Sequence, residues 1–314
     1  MGEFDLIRRY FTRTTPSALL GVGDDAALLS VRAGKVLAVS SDMLVSGTHF
    51  FPDADPFWLG HKTLAVNLSD LAAMGAQPRW ATLALSLPRL DPVWLERFAA
   101  GFFALAERYQ VELVGGDTTR GPLNLCVTIM GEVAPNQALR RDGARPGDDI
   151  WVSGTLGGAA LALAQLQGRV CLSPADFDGC AERLHQPQPR VELGLALPGL
   201  ATSAIDVSDG LLADLGHILQ RSQVGAEIEL LRLPLATALD AIGDVSLRHQ
   251  CALAGGDDYE LCFTAPVAAR AALAELSERQ PLTRIGAIVA SEGCVVLADG
   301  KPINMEKSGY DHFA

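Results

Sequence analysis

Aspartates in glycine- or hydroxyl-rich settings recur along this chain and set its possible chemistry. They occur at 23–25, 40–42, 115–118, 206–209 and 255–258. Another, Asp70, lies in Thr63-Leu-Ala-Val-Asn-Leu-Ser-Asp-Leu-Ala-Ala-Met-Gly75. In that stretch Leu64, Leu68 and Leu71 recur at helical spacing, and Gly75 followed by Pro78 supplies a stop. Asn67 and Asp70 are three apart and share a face of the expected helix. Small and apolar neighbours imply burial, and a buried carboxylate is costly unless it is paired or holds a metal. An all-oxygen donor set, without Cys or His, selects a hard cation such as Mg²⁺. Mg²⁺ usually takes one or two carboxylates and completes its shell with water and phosphate oxygens. Scattered carboxylates without a full cage therefore suggest metals that bridge to a polyphosphate.

Several familiar nucleotide motifs are absent or misplaced. There is no GxxxxGK[ST] loop, and the protein-kinase HRD and DFG signatures are missing. Gly21-Val-Gly-Asp-Asp-Ala26 fits GxGxxA, but β-prone residues follow it where a helix should open. Two carboxylates would also face a pyrophosphate there, and like charges about 4 Å apart cost on the order of 4 kcal/mol at intermediate dielectric. A dinucleotide site is rejected, leaving an Asp-bearing turn or a metal site. Gly154-Thr-Leu-Gly-Gly158 opens a helix and has two readings: a phosphate cradle, or tight packing of a helix on a strand.

The elements that must position these residues follow from periodicity and punctuation. Residues 4–12 suggest a short amphipathic helix, and Ala27–Val31 and Val36–Ser41 suggest strands. A helix follows at 57–75, a strand at Trp80–Leu87 and a long helix at Pro92–Gln110. Val111–Val114 reads as a strand opening onto Gly115-Gly-Asp-Thr-Thr119, and Leu123–Val133 as another strand. Irregular alternation of this kind predicts an α+β domain rather than a doubly wound sheet. The polar segment Arg140–Asp148, punctuated by Gly and Pro, marks a boundary, giving domains 1–138 and 139–314. Beyond it, Ile150–Ser153 reads as a strand and Ala159–Gln167 as a helix, and 168–190 as a mostly exposed, Pro-rich insertion. Asp206-Val-Ser-Asp-Gly210 leads into a helix with Leu211, Leu212, Leu215, Ile218 and Leu219 on its apolar side. One of Asp206, Ser208 and Asp209 is accounted for as a helix cap.

Composition narrows the class. The 314 residues are 49% hydrophobic and 20% charged, which fits two globular domains. A net charge of −12 argues against non-specific nucleic-acid or membrane binding. Six dispersed cysteines without a CxxC pair suggest reduced thiols. No apolar run approaches a membrane span and no signal layout opens the chain, so a cytoplasmic location is expected.

An ordered set of motifs resembles the thiamine-monophosphate kinase family of the aminoimidazole-ribonucleotide synthetase superfamily, over about residues 3–313. It comprises Gly23-Asp-Asp-Ala-Ala27, Ser41-Asp42, Gly47-Thr-His-Phe50, the 64–75 helix, Gly115-Gly-Asp-Thr118, Asp206-Val-Ser-Asp-Gly210, Gly255-Gly-Asp-Asp-Tyr-Glu-Leu261 and Gly309-Tyr-Asp-His-Phe313. The resemblance implies ATP-dependent phosphorylation of thiamine phosphate to thiamine diphosphate, with several Mg²⁺ ions. It implies a homodimer whose N-terminal α+β domains form a β-barrel-like interface, each with a C-terminal α/β domain packed beside it. Carried over by position, Asp25, Ser40, Ser41, Asp42, Asp70, Asp117, Asp206 and Asp209 form the metal set, with Asp42, Asp70 and Asp209 central to catalysis. Gly116, Asp117, Arg141 and Ser208 would contact ATP; His49, Asp257 and Tyr310 would meet thiamine phosphate. The family usually reads Gly-Gly-Glu-Asp where this chain has Asp257, and an aromatic nucleotide contact of some members has no match near Ala100. Another enzyme of the superfamily and a non-catalytic Mg·nucleotide sensor are the alternatives.

Overall fold

The computed structural model describes residues 2–303 and 309–310. They divide into two compact units, residues 1–71 with 76–136, and residues 72–75 with 137–314.

The first unit opens with a short helix α1 (Glu3–Leu6) that widens into one π turn at Ile7–Phe11, burying Leu6, Tyr10 and Phe11. The expected strand at 27–31 does not form. Leu28 makes only an isolated bridge to Leu20 and is 55% exposed: strand propensity without a neighbouring edge leaves the run irregular. Strand β1 (Val36–Val45) is followed by helix α2 (Pro56–Ala73), strand β2 (Gln77–Leu87), helix α3 (Pro92–Tyr109), and strands β3 (Glu112–Arg120) and β4 (Asn124–Val133).

Both long helices begin where a carboxylate and a proline dictate. Asp55 accepts from the Phe57 N–H at 2.9 Å ahead of α2, and Asp91 accepts from Val93 and Trp94 at 3.1 Å ahead of α3. Pro56 and Pro92 take the first helical position, where no N–H is needed. The sheet order is β1-β4-β2-β3, with β2 and β3 parallel and the other pairs antiparallel. It is an open sheet: among the described residues no closed barrel forms. Its register aligns Asp42, Val127, Leu83 and Gly116 in one row across all four strands.

The second unit contains strands β5 (Asp149–Ser153), β6 (Ser203–Val207), β7 (Gly225–Glu229), β8 (Glu260–Ala265), β9 (Leu282–Val289), β10 (Gly293–Ala298) and β11 (Lys301–Ile303). Helices α4 (Gly158–Leu166), α5 (Pro174–His185), α6 (Val191–Ala196), α7 (Leu211–Ser222), α8 (Val245–Ala254) and α9 (Arg270–Ser277) complete it. The sheet order is β11-β10-β7-β9-β5-β8-β6, and only β7 and β10 run parallel. This mixed sheet replaces the expected α/β domain by a second α+β layer. Its core joins Ile150, Val152, Ile205, Val207, Leu211, Leu215 and Ile218. The region 168–190 is not simply exposed: Cys180 and Leu184 of α5 are buried against α4 residues Leu161 and Ala162. No helix among the described residues is long and apolar enough to cross a membrane.

Candidate functional site

Within the first unit, α2 lies over β1 and meets it through polar groups. Strand alternation sends Ser40 and Asp42 to one face and Ser41 to the other. The Ser40 hydroxyl donates to Asp70 Oδ2. The Asp42 N–H donates to Asn67 Oδ1 at 3.1 Å, while Asn67 Nδ2 donates to the Thr63 carbonyl at 3.0 Å. Asn67 is 1% exposed, so its amide is clamped at both ends and fixes the backbone at Asp42. Ser41 instead bonds across to β4, with its hydroxyl 2.8 Å from Thr128 Oγ1; its side chain is not brought to Ser40, Asp42 and Asp70. His49 sits in the turn after β1, where its Nδ1 accepts from the Val45 N–H at 3.0 Å. With Nδ1 accepting, Nε2 is the ring nitrogen left to act as donor.

A second group in this unit lines a cavity of about 600 Å³ that includes Phe4, Asp24, Asp25, Gly116 and Asp117. The Asp25 N–H donates to Asp24 Oδ1 at 3.0 Å. The GGDT motif is strand rather than loop: β3 runs through it beside β2. Gly116 has φ +150°, and a Cβ there would stand 1.9 Å from the Leu83 carbonyl oxygen, so no other residue fits this close strand approach. Three strand spacings of about 4.8 Å separate Asp42 from Gly116, roughly 14 Å. One ion therefore cannot bind both groups. Among the described residues no three or more His, Cys, Asp or Glu side chains gather as a metal cage.

In the second unit, β6 carries the largely buried Asp206 and runs out into Ser208-Asp209-Gly210 before α7. None of Asp206, Ser208 and Asp209 caps that helix, contrary to the sequence reading. Asp214, inside the first turn, reaches back: its Oδ2 accepts from the N–H groups of Ser208, Asp209 and Gly210 at 3.0, 3.0 and 3.1 Å. Asp214 is 3% exposed, and burial pushes its carboxyl up to about 7, against the pull of those three bonds. Its only sequence signal is an acid between Leu211 and Leu215 on the apolar side of the helix.

Two further segments are bonded to the same loop. The Asp257 N–H donates to the Ser208 carbonyl at 2.8 Å, Tyr259 N–H to Val207 at 2.8 Å, and Tyr310 N–H to Asp209 at 3.0 Å. Ser208, Asp209, Asp257 and Tyr310 are thus joined through their backbones; the motif's remaining residues Asp311, His312 and Phe313 lie outside the described residues. Asp257 and Tyr259 have φ +68° and +49°, a left-handed conformation that costs non-glycine residues energy and collects at functional sites. Asp tolerates that region better than most residue types, which suits Asp257 to its place. Arg141 is not brought to Ser208. Its carbonyl accepts from Ser222 Oγ at the far end of α7, roughly 18 Å along a twelve-residue helix.

The Gly154–Gly158 turn resolves toward packing. Asp258 Oδ1 and Oδ2 accept the Gly157 N–H at 3.1 and 2.9 Å, placing a buried carboxylate where a phosphate would bind. Burial, with Glu260 and Asp257 nearby, holds the Asp258 carboxyl well above the usual range. Glu260, fully buried, accepts from Ser153 Oγ at 2.5 Å and Arg190 Nε at 2.6 Å, with Arg183 at 3.4 Å. Asp258 and Glu260 stand within the 255–261 motif, where the sequence alone assigns neither a role.

Comparison with known proteins gives this geometry a family. Residues 23–133 match the AIR synthase related protein N-terminal domain, and residues 145–299 match its C-terminal domain. The chain is 50% identical to the thiamine-monophosphate kinase of Escherichia coli K12, over 100% of this chain and 98% of that protein. The crystal structure of the thiamine-monophosphate kinase from Stenotrophomonas maltophilia K279a matches with a TM-score of 0.87 and 53% identity, covering 96% of this chain and 98% of that one. AaThiL complexed with AMPPCP and TMP matches at 0.79 and 33%, covering 99% and 97%. Identity at this level over the full length of such relatives shows that the chain belongs to the thiamine-monophosphate kinase family.

Proposed function

We propose that this chain transfers the γ-phosphate of ATP to thiamine phosphate, giving thiamine diphosphate. The observation that carries this reading is the backbone stitching in the second unit. It ties Asp257 and Tyr310, assigned to the acceptor, to Ser208 and Asp209, assigned to nucleotide and metal. The acceptor's terminal phosphate, with a second pKa of about 6, is mostly deprotonated near pH 7 and needs no general base. What the protein must supply is alignment of two anions and relief of their repulsion. The Asp25, Gly116 and Asp117 cavity receives the nucleotide, while His49 Nε2–H donates toward the acceptor phosphate.

The all-oxygen donors fit more than one Mg²⁺ ion: Asp25 and Asp117, Ser40 with Asp42 and Asp70, and Asp206 with Asp209 would hold them, while the Ser41 hydroxyl of the same set is turned to Thr128. Among the described residues the carboxylates stand in small groups, which suits an ion that keeps water and phosphate ligands. When bound, Mg²⁺ supplies charge neutralisation for in-line transfer. We assign residues 1–138 to nucleotide and metal binding and to dimerisation, and 139–314 to completing the active site. A second copy covers the outward face of β1, where Leu37, Val39 and Met43 are 39%, 58% and 53% exposed; sedimentation at micromolar concentration is expected to give a dimer. ATP use and six free thiols suit the cytoplasm.

The test is turnover with ATP, Mg²⁺ and thiamine phosphate beside free thiamine, following thiamine diphosphate by chromatography. Asp42→Asn and Asp209→Asn are expected to cut the rate about a hundredfold or more with circular dichroism unchanged. ATP binding without product would favour a nucleotide sensor. Product from another acceptor alone would favour a different enzyme of the superfamily.

A further inference from the structure

We propose that Asp214 is a positioning residue that sets the Ser208-Asp209-Gly210 backbone for metal and nucleotide binding, an inference that rests on the roles assigned above to Ser208 and Asp209. The geometry separates this from ordinary helix capping. A cap satisfies donors of the helix's own first turn, usually the second or third residue. In a capping box, the third helical residue reaches back to the single N–H of the cap. Here α7 begins at Leu211, and Asp214 is its fourth residue. One of its oxygens accepts all three N–H groups that precede the helix. The hydrogen bonds that Oδ2 accepts therefore go to the loop, not to the helix.

The arrangement has a chemical consequence. Three convergent N–H bonds fix the peptide planes on both sides of Asp209, and with them the Cα–Cβ direction of that side chain. The carbonyls left pointing the other way at Ser208 and Asp209 accept from Asp257 and Tyr310. Asp214 thus underlies a hub in which one loop is gripped on its N–H side by a buried acid and on its C=O side by the two substrate segments. Gly210, φ +120°, permits the turn that presents all three N–H groups to one atom. The carboxylate itself is 3% exposed, so it does not touch substrate.

The test compares Asp214→Asn and Asp214→Ala with the unaltered full-length protein, well below each melting temperature. Three quantities are read: the Mg²⁺ concentration giving half-maximal rate, the KM for ATP, and the Kd for Mg·ATP by calorimetry. Loss of the three bonds from this buried acid to the loop is expected to raise the Mg²⁺ midpoint and the ATP KM about tenfold or more in the Ala variant. Asn retains an acceptor oxygen, and a smaller shift, about threefold, is expected from it. Should the Ala variant fail to fold, the Asn variant decides alone. A lowered melting temperature with an unchanged Mg²⁺ midpoint, KM and Kd would overturn the proposal and leave Asp214 a purely structural acid. If the unaltered protein binds Mg·ATP but makes no thiamine diphosphate, the functional reading fails, while the Kd comparison still judges Asp214.

Discussion

Replacing Arg190 tests whether the buried acid at the start of β8 is held by its ion pair. Glu260 has no exposed surface and is bonded by Arg190 through two nitrogens, by Arg183 at 3.4 Å and by Ser153. In Arg190→Met the aliphatic volume is kept while the nearer guanidinium is lost. Removing one partner of a buried pair costs about 3–5 kcal/mol, because the remaining charge stays buried. Arg183 is longer-bonded and more exposed, so it compensates weakly, and about 3–4 kcal/mol is expected. For a unit of roughly 180 residues, unfolding entropy near 2.1 cal/mol/K per residue converts this to a fall of roughly 8–10 °C in Tm. Urea unfolding and calorimetry read both numbers. The double variant Arg190→Met with Glu260→Leu should regain most of the loss, since no uncompensated charge remains. A single variant within about 1 kcal/mol of the unaltered protein would refute the reasoning, as would a double variant less stable than the single one. Glu260 also ends the 257–259 loop, so the single variant should raise the KM for thiamine phosphate more than that for ATP.

Burial lifts the Asp214 carboxyl to about 7 from 3.8, so the folded protein keeps a proton that the unfolded chain has released. Stability therefore falls as pH rises from about 4 to 7, and between pH 5 and 8 this group contributes a loss of about 2–3 kcal/mol that Asp214→Asn lacks. Parallel urea-derived stability curves for the two proteins would refute this. Gly116→Ala would force a Cβ to 1.9 Å from the Leu83 carbonyl oxygen; a loss of at least about 2 kcal/mol and of nucleotide affinity is expected, measured by urea unfolding and calorimetric ATP titration. Asn67→Leu leaves the Asp42 N–H and Thr63 carbonyl without this partner and should cost about 1–3 kcal/mol in a thermal-shift or urea assay. Turnover should fall with it.

The long elements were legible because their signals are local. Asp55-Pro56 and Asp91-Pro92 announce α2 and α3, and Leu64, Leu68 and Leu71 do occupy a buried face, each at 1% exposure or less. The misreadings came where partners distant in sequence decide. Ala27–Val31 has strand-forming residues but almost no ladder partner. Gly115-Gly-Asp-Thr looks like a loop by composition, yet the parallel neighbour β2 keeps it extended. The expected α/β character of the second unit failed because a seven-stranded order with one parallel pair cannot be inferred from element sequence alone.

The acids show most clearly what the chain does not spell out. Asp257 and Asp258 are adjacent and chemically identical, but the first turns outward in a left-handed conformation while the second is buried on the Gly157 N–H. Asp209 and Asp214 divide in the same way, one partly exposed on a loop and the other buried beneath it. Glycine before an acid marks where the backbone bends, not which carboxylate faces solvent. Burial decides that, and burial is set by β8 and α7 packing on strands far away in sequence. The two kinds of acid are nonetheless one device. A carboxylate able to meet metal and phosphate must stay partly exposed, and its loop is then too thinly packed to hold itself. A second acid, buried and bonded to backbone N–H groups, supplies the rigidity that exposure removes: Asp214 does so beneath the partly exposed Asp209, and Asp258, on the Gly157 N–H, beside the partly exposed Asp257.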